Sequence, residues 1–194
     1  ETKKFRAEVS QVLDIVIHSL YVHREIFLRE LVSNAFDALE KLRNASLLTT
    51  VYADKDTPLE IRIDTDAEKH TLTITDTGIG MTHDELVENL GTIAHSGTME
   101  YVKDLASKGE VTSDLSGRFG VGFYSAFMAA DIVKVRTRSY HPEARGWEWV
   151  SDGAGEYTIA EMEGLPRGTS VIVQLKESAR EYEDAAVVKG IIRK

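Results

Sequence analysis

The chain has 194 residues, enough for one domain with a full core, and its 42% hydrophobic and 28% charged residues are typical of a globular protein. Its net charge of −9 at pH 7 argues against a nucleic-acid surface, which needs clustered Lys and Arg, but not against nucleotides, because a few backbone amides can hold a phosphate. The absence of cysteine excludes disulfides and thiolate metal sites. No apolar run approaches the length of a membrane span, so we expect neither a nucleic acid nor a membrane as partner.

The N-terminal part predicts two amphipathic helices followed by a pair of strands. Apolar residues recur at helical spacing from Val9 to Leu20 and again through residues 25–43. A strand with alternating apolar and charged residues follows Pro58, and a second surrounds residues 72–74. The short polar link between the two strands predicts that they pair antiparallel.

The rest of the chain predicts one more helix, a long irregular stretch and a series of strands. Thr82-His-Asp-Glu85 matches a capping box, in which the hydroxyl and the carboxylate satisfy free amides at a helix start. Residues 91–122 contain six of the 14 glycines and show weak periodicity, which favours a functional lid. A short helix over 123–130 and a helical tail from Glu181 are expected. The strands between them are Ile132–Ser139, Gly146–Ser151, Glu156–Glu161 and Thr169–Leu175.

Helices alternate with strand pairs, and no parallel β-α-β rhythm is evident. This pattern favours an α/β fold: a two-layer sandwich with a mixed, mostly antiparallel sheet and helices on one face. We expect a single domain over residues 1–194. The chain begins with Glu rather than Met, and we expect it to be part of a longer protein.

A polar stripe follows the second predicted helix. Glu30, Asn34, Asp37 and Lys41 are spaced three or four residues apart, so they share one helical face. The simple interpretation is a solvated face with an Asp–Lys ion pair. Small neighbours such as Ala38 would instead let a ligand approach, with a carboxylate to activate water and an amide oxygen to bind Mg²⁺.

The segment Asp76-Thr-Gly78-Ile-Gly80-Met81 follows the second strand. Strand parity places Asp76 on the inner face, where a carboxylate is unfavourable unless it accepts a hydrogen bond. An adenine amino group could donate that bond. The alternative is an ordinary Asp at the start of a glycine-rich turn, which is common.

Gly117–Phe123 leads into the short predicted helix, and Gly168-Thr169 is a possible further part of the same site. Free amides at a helix start attract anions, and glycines let a phosphate approach the backbone. Gly120-Val-Gly122-Phe-Tyr-Ser125 is only weakly similar to a dinucleotide fingerprint. The chain has no Gly-Lys-Ser/Thr phosphate loop, so Rossmann and P-loop enzymes both fit poorly.

Together these residues resemble a known family, the ATP-binding domain of the heat-shock protein 90 chaperones. Their superfamily includes type II topoisomerases, sensor histidine kinases and mismatch-repair ATPases. The resemblance covers nearly the whole chain and implies a Bergerat-type fold with an ATP lid at about residues 91–122. The segments that carry it are Phe27-Leu-Arg-Glu-Leu-Val-Ser-Asn34, Asn89-Leu-Gly-Thr-Ile-Ala94, Ser96-Gly97 and Phe119-Gly-Val-Gly-Phe-Tyr-Ser-Ala-Phe127.

The resemblance also implies a role for each site residue. Glu30 would be the general base for the attacking water, Asn34 would hold Mg²⁺, and Asp76 would read the adenine amino group with help from Thr169 through water. Residues 119–123 would wrap the phosphates with backbone amides. The implied ATP/ADP contacts are Asn34, Asp37, Lys41, Asp76, Met81, Asn89, Ser96, Gly97, Arg118, Phe119, Gly120, Val121, Gly122, Phe123 and Thr169.

The implied activity is Mg²⁺-dependent ATP hydrolysis in a stress-response chaperone. The resemblance implies a homodimer that assists client folding, with lid closure and N-terminal dimerisation coupled to the nucleotide. Turnover should be very slow in the isolated domain, because the family takes an Arg from a following domain. Residues 37–43 and 149–156 are most similar to the mitochondrial member, which implies the mitochondrial matrix; a cytoplasmic homologue is the alternative. A non-hydrolysing nucleotide-gated module and another ATPase of the superfamily are the functional alternatives.

Overall fold

A computed structural model describes residues 1–6, 9, 13, 24–91 and 122–193. The strands in this part of the chain are β1 (Thr2–Lys4), β2 (Ile61–Asp66), β3 (Thr71–Asp76), β4 (Ala130–Arg138), β5 (Gly146–Ser151), β6 (Glu156–Glu161) and β7 (Gly168–Leu175). These seven described strands form one sheet in the order β1-β6-β5-β4-β7-β3-β2, and every pairing among them is antiparallel. The helices are α1 (Ile26–Ser46), α2 (His83–Gly91) and α3 (Ala185–Ile192), with 3₁₀ helices η1 (Gly122–Met128) and η2 (Glu177–Glu183).

The core lies between α1 and one face of the sheet. In β3 the residues alternate, so that Leu72 and Ile74 are buried while the threonines beside them face the other way. Helix α1 meets this face with an apolar stripe that includes Phe27, Leu28 and Leu31. Burying each large apolar side chain contributes about 1.5–3 kcal/mol, so these matching periodicities hold the two layers together.

The predicted fold class is confirmed as a two-layer α/β sandwich with an antiparallel sheet. The strands lie within one or two residues of their predicted ends, and the predicted α1 and α2 are present. The short helix before β4 is a 3₁₀ helix, and the C-terminal tail has 3₁₀ turns ahead of α3. Of the first predicted helix only Val9 and Leu13 are described, and both are buried. Among the described helices, none has both the length and the apolar character of a membrane span.

The sequence did not predict β1, a three-residue edge strand. Thr2 pairs with Thr158 of β6. Phe5, which follows the strand, is buried against aromatic rings, and its ring centroid lies 5.0 Å from that of Tyr157. A strand this short has too little alternation to be recognised, and its position depends on the partner strand and on this aromatic contact.

Candidate functional site

A cavity of about 370 Å³ lies between α1, α2, η1 and the inner face of β3, β4 and β7. Its size is within the range of small-molecule sites, which are usually apolar with a few convergent polar groups. Several predicted contact residues line it: Asn34, Asp37, Lys41, Asp76, Met81, Asn89, Gly122, Phe123 and Thr169. Other predicted contacts lie outside the described residues, namely Ser96, Gly97, Arg118, Phe119, Gly120 and Val121. The structure therefore brings four distant segments of the chain to one cavity.

Asp76 forms the polar floor of this cavity. Its side chain is only 6% exposed, among apolar lining residues such as Ile74, Val135 and Val171. One carboxylate oxygen accepts a hydrogen bond from the Gly78 N–H at 2.8 Å. Burial raises the pKa of Asp76 to about 7, against the lowering effect of backbone hydrogen bonds and of a nearby Arg charge. A donor that entered the cavity would relieve this desolvation.

The turn after Asp76 needs its glycines for close packing. A Cβ on Gly78 would lie 2.5 Å from the carbonyl carbon of Ala38 in α1. Gly80 has a positive φ of 62°, and a Cβ there would overlap the carbonyl oxygen of Arg138 in β4. The Ile79 N–H donates to the Ala38 carbonyl at 3.1 Å. The glycines therefore fix the floor of the cavity against both α1 and β4.

A pair of threonines, the buried Thr137 and the half-buried Thr169, connects this turn to the sheet. The Thr137 hydroxyl accepts from the Met81 N–H at 3.0 Å and lies 2.9 Å from the Thr169 hydroxyl. It also lies 3.0 Å from the Gly168 carbonyl oxygen. Sequence reasoning missed Thr137, although a polar residue at an inward position of β4, in line with Val135, was the available signal.

The polar stripe of α1 forms one wall of the cavity. Asn34, Asp37 and Lys41 line it, and all three are exposed. Glu30 is one turn earlier on the same helix and is 5% exposed, outside the lining of the cavity. The Glu30 carboxylate is therefore shielded from solvent beside the polar stripe.

Helix α2 forms the opposite wall, and its start is fixed by the predicted capping box. The Thr82 N–H donates to the Glu85 carboxylate at 2.8 Å, and the Glu85 N–H donates to the Thr82 hydroxyl at 3.3 Å. The Asn89 amide nitrogen lies 3.6 Å from the Met81 sulfur. Glu85 also lines the cavity, which the sequence did not predict. The cap thus sets the direction of α2 and places Asn89 over the site.

A larger groove of about 1110 Å³ follows the opposite face of the sheet. The threonines of β3 line it, and its Arg136 is paired with Glu148 at 2.7 Å. Threonines and charged side chains make up most of its lining, whereas small-molecule sites are lined mainly by apolar side chains, so we do not assign the nucleotide to it.

Comparison with known proteins shows where this architecture occurs. The family model described as "Histidine kinase-, DNA gyrase B-, and HSP90-like ATPase" matches residues 22–160. The chain is 55% identical over 194 residues to "Chaperone protein HtpG" of Desulfitobacterium hafniense, covering all of this chain and 32% of that protein. Its identity to the protein of the same name from Desulfotalea psychrophila is 52%, covering 97% of this chain and 30% of the relative. Its identity to "Heat shock protein 75 kDa, mitochondrial" of Rattus norvegicus is 48%, covering 98% of this chain and 27% of the relative. The chain therefore spans about a third of the length of the curated relatives it matches.

Proposed function

The chain belongs to the histidine kinase-, DNA gyrase B- and HSP90-like ATPase family, on its Hsp90 branch, and we propose that the cavity above Asp76 is its ATP site. The observation that carries the assignment is a desolvated carboxylate at the floor of a mostly apolar cavity, with the α1 stripe as one wall. A flat base fits between these walls, and its polar edge meets the carboxylate.

Asp76 would select adenine by its amino group. That group donates to an ionised carboxylate, whereas guanine presents a carbonyl oxygen at the same position and would repel it. Thr169 pairs with Asp76 across β3 and β7, and its hydroxyl is held by Thr137, so it is placed to assist through water. Met81 and Asn89 would line the base and sugar from the α2 side.

The phosphates would extend along α1 toward η1, where Gly122 and Phe123 line the cavity. Within the described residues, no group of three or more His, Cys, Asp or Glu side chains could hold a metal ion alone. The residues present fit Mg²⁺ bound mainly by phosphate and water oxygens, with the Asn34 amide oxygen as the protein ligand. The bound ion would neutralise phosphate charge during hydrolysis.

Glu30 would act as the general base for the attacking water. Glu30 lies one helical turn before Asn34 on α1, and in this proposal that part of the helix is the phosphate end of the stripe. Catalysis would then depend mostly on positioning and on charge stabilisation. In this proposal the isolated domain binds nucleotide but hydrolyses it very slowly, because the stabilising Arg comes from a following domain of the full-length protein.

In the full-length protein we propose a homodimeric chaperone. Nucleotide binding would be coupled to lid closure, N-terminal dimerisation and the remodelling of client proteins. The relatives include both bacterial HtpG proteins and a mitochondrial protein. Identity to the bacterial protein is the higher of the two, which favours the cytoplasmic alternative over the mitochondrial matrix.

Calorimetric titration with ADP and ATP, with and without Mg²⁺, tests the proposal. We expect binding by the unmodified chain and loss of binding in Asp76→Asn, where a pure acceptor becomes partly a donor. Unchanged affinity in that variant would refute the reading of adenine by Asp76.

Hydrolysis is tested separately, in the full-length protein. Glu30→Ala should keep nucleotide affinity and lose ATP hydrolysis, and Glu30→Gln should do the same with less change of shape. If hydrolysis continues at the original rate, the base is another group. If no form of the protein hydrolyses ATP, the chain is a nucleotide-gated binding module.

A further inference from the structure

Arg167 is a buried cation immediately behind the floor of the cavity. It precedes β7 and is only 2% exposed. Its guanidinium donates to four backbone carbonyl oxygens: Ala53 at 2.7 Å, Asp54 at 2.6 Å, Thr77 at 3.0 Å and Thr57 at 3.3 Å. The backbone N–H of Arg167 donates to the Asp54 carboxylate at 2.7 Å, and the guanidinium lies 5.6 Å from the ring centre of Tyr52. A single side chain thus connects the 52–57 loop to the end of β3.

The Thr77 carbonyl ties Arg167 to the purine-reading residue, because Thr77 directly follows Asp76. The next residue along β7 is also in close contact, since a Cβ on Gly168 would overlap the Asp76 carbonyl oxygen. Arg167 is absent from the lining of the cavity, so it does not contact the base. Any effect on the nucleotide must therefore pass through the residues that Arg167 holds or adjoins, namely the Asp76 turn and the start of β7.

The charge of Arg167 acts on the same carboxylate. Burial raises the pKa of Asp76, and the positive charge of Arg167 opposes that rise. Among the residues that the structure describes, the other charged groups facing the cavity are Asp37 and Lys41 from α1 and Glu85 from α2. Behind the floor, the Asp54 carboxylate accepts from the backbone N–H of Arg167 and lies 3.8 Å from the Arg138 guanidinium.

We propose that Arg167 is a positioning residue for purine recognition: it holds the Asp76–Thr77 turn against the 52–57 loop and keeps a positive charge behind the Asp76 carboxylate. The inference rests on the proposed role of Asp76 in reading adenine. A guanidinium suits this task because its planar fork can reach several carbonyls at once and stays charged when buried. The ammonium of Lys keeps the charge but cannot hold the loop and the turn together.

The test is the ADP affinity of Arg167→Lys and Arg167→Met, measured by calorimetry from pH 6 to 9 beside melting temperatures. The phosphates of ADP gain and lose protons in the same way in every pH series. Differences between variants therefore report only on the protein. Arg167→Met should lose about tenfold or more in affinity near pH 7. As the pH is lowered, its affinity for ADP should begin to fall at a higher pH than that of the unmodified chain. Arg167→Lys should bind about threefold to tenfold more weakly at pH 8.5 with an unshifted pH profile. Arg136→Lys, the same change on the opposite face of the sheet, is the matched control and should bind normally.

Arg167→Lys keeps the inference falsifiable even if Arg167→Met fails to fold. If Arg167→Lys melts at a lower temperature but binds ADP within about twofold of the unmodified chain at every pH, Arg167 is only a structural clamp and the inference is overturned. Failure of the proposed function gives a different result, because the unmodified chain would then not bind ADP. If Asp76→Asn binds ADP as well as the unmodified chain does, Asp76 does not recognise adenine. The inference about Arg167 is then overturned as well, because it rests on that role.

Discussion

Replacing Asp76 with Asn should make the ligand-free protein more stable while it removes purine binding. Burial raises the pKa of this carboxyl to about 7, so above neutral pH the folded chain holds a poorly solvated negative charge. An Asn side chain has no charge, and its oxygen can still accept from the Gly78 N–H that Asp76 binds at 2.8 Å. Its amide would face the cavity, where it meets solvent until a ligand arrives.

The size of the effect follows from the pKa of Asp76. The folded value of about 7 lies above the ordinary value of 3.8, so between them the folded chain binds more protons than the unfolded chain. The free energy of unfolding therefore falls as the pH rises through that window. At about 1.4 kcal/mol per pKa unit, the penalty of Asp76 is about 2 kcal/mol at pH 5 and about 4 kcal/mol at pH 8. These values are the upper limits of the gain from Asp76→Asn.

Urea and thermal unfolding of both proteins at pH 5 and pH 8 measure this effect. A gain of 1 kcal/mol corresponds to about 2–4 °C in a chain of this size, so the melting temperature at pH 8 should rise by several degrees. Asp56→Asn, in the exposed loop before β2, controls for the loss of one charge. The reasoning is refuted if Asp76→Asn is no more stable than the unmodified chain at pH 8, or if the difference is the same at both pH values.

Three further outcomes test the construction of the site. Gly80→Ala should destabilise the chain by more than about 2 kcal/mol in urea unfolding, because a Cβ would overlap the Arg138 carbonyl oxygen. The control is Gly164→Ala, where φ is also positive, at 75°, but the surrounding space is open, so that it shows the cost of backbone strain without the overlap. Thr137→Val leaves the partly buried Met81 amide without its acceptor, so urea unfolding should show a loss of about 1–3 kcal/mol, and no loss would contradict the contact. Adenosine carries no phosphate to titrate and should bind about tenfold more weakly at pH 6 than at pH 8 in calorimetry, because Asp76 is mostly protonated at pH 6. Equal affinity at both pH values would show that binding does not need the ionised form of Asp76.

Local periodicity was enough to predict the parts of the site that come from single elements. Leu72 and Ile74 are the inward residues of β3, so parity alone placed Asp76 on the same buried face. The three- and four-residue spacing on α1 likewise placed Asn34 and Asp37 on one wall. Such features depend on neighbours within a few residues, which the sequence displays directly.

Contacts between distant segments could not be predicted in this way. Arg167 stands in a turn sequence, and the antiparallel pairing of β3 with β7 brings Thr77 to it. Its other partner, Ala53, lies in a separate loop, and the Ala53 N–H donates to the Tyr140 carbonyl at 2.8 Å. The hydrogen bond between Thr137 and the Met81 amide similarly depends on where β4 meets the glycine turn. Periodicity indicates which face a residue occupies but not which segment covers that face.

The position of Asp76 in the sheet explains why its desolvation persists. It pairs with Ile61 of β2 on one side and Thr169 of β7 on the other, so the backbone cannot move outward without breaking two strand pairings. The glycine turn that follows is fixed between α1 and β4, which prevents relief from that end. A hydrogen-bond donor that enters the cavity between α1 and α2 would satisfy the ionised carboxylate. A purine amino group would then remove a penalty already present in the empty protein, and this preorganisation favours binding because little is left to rearrange.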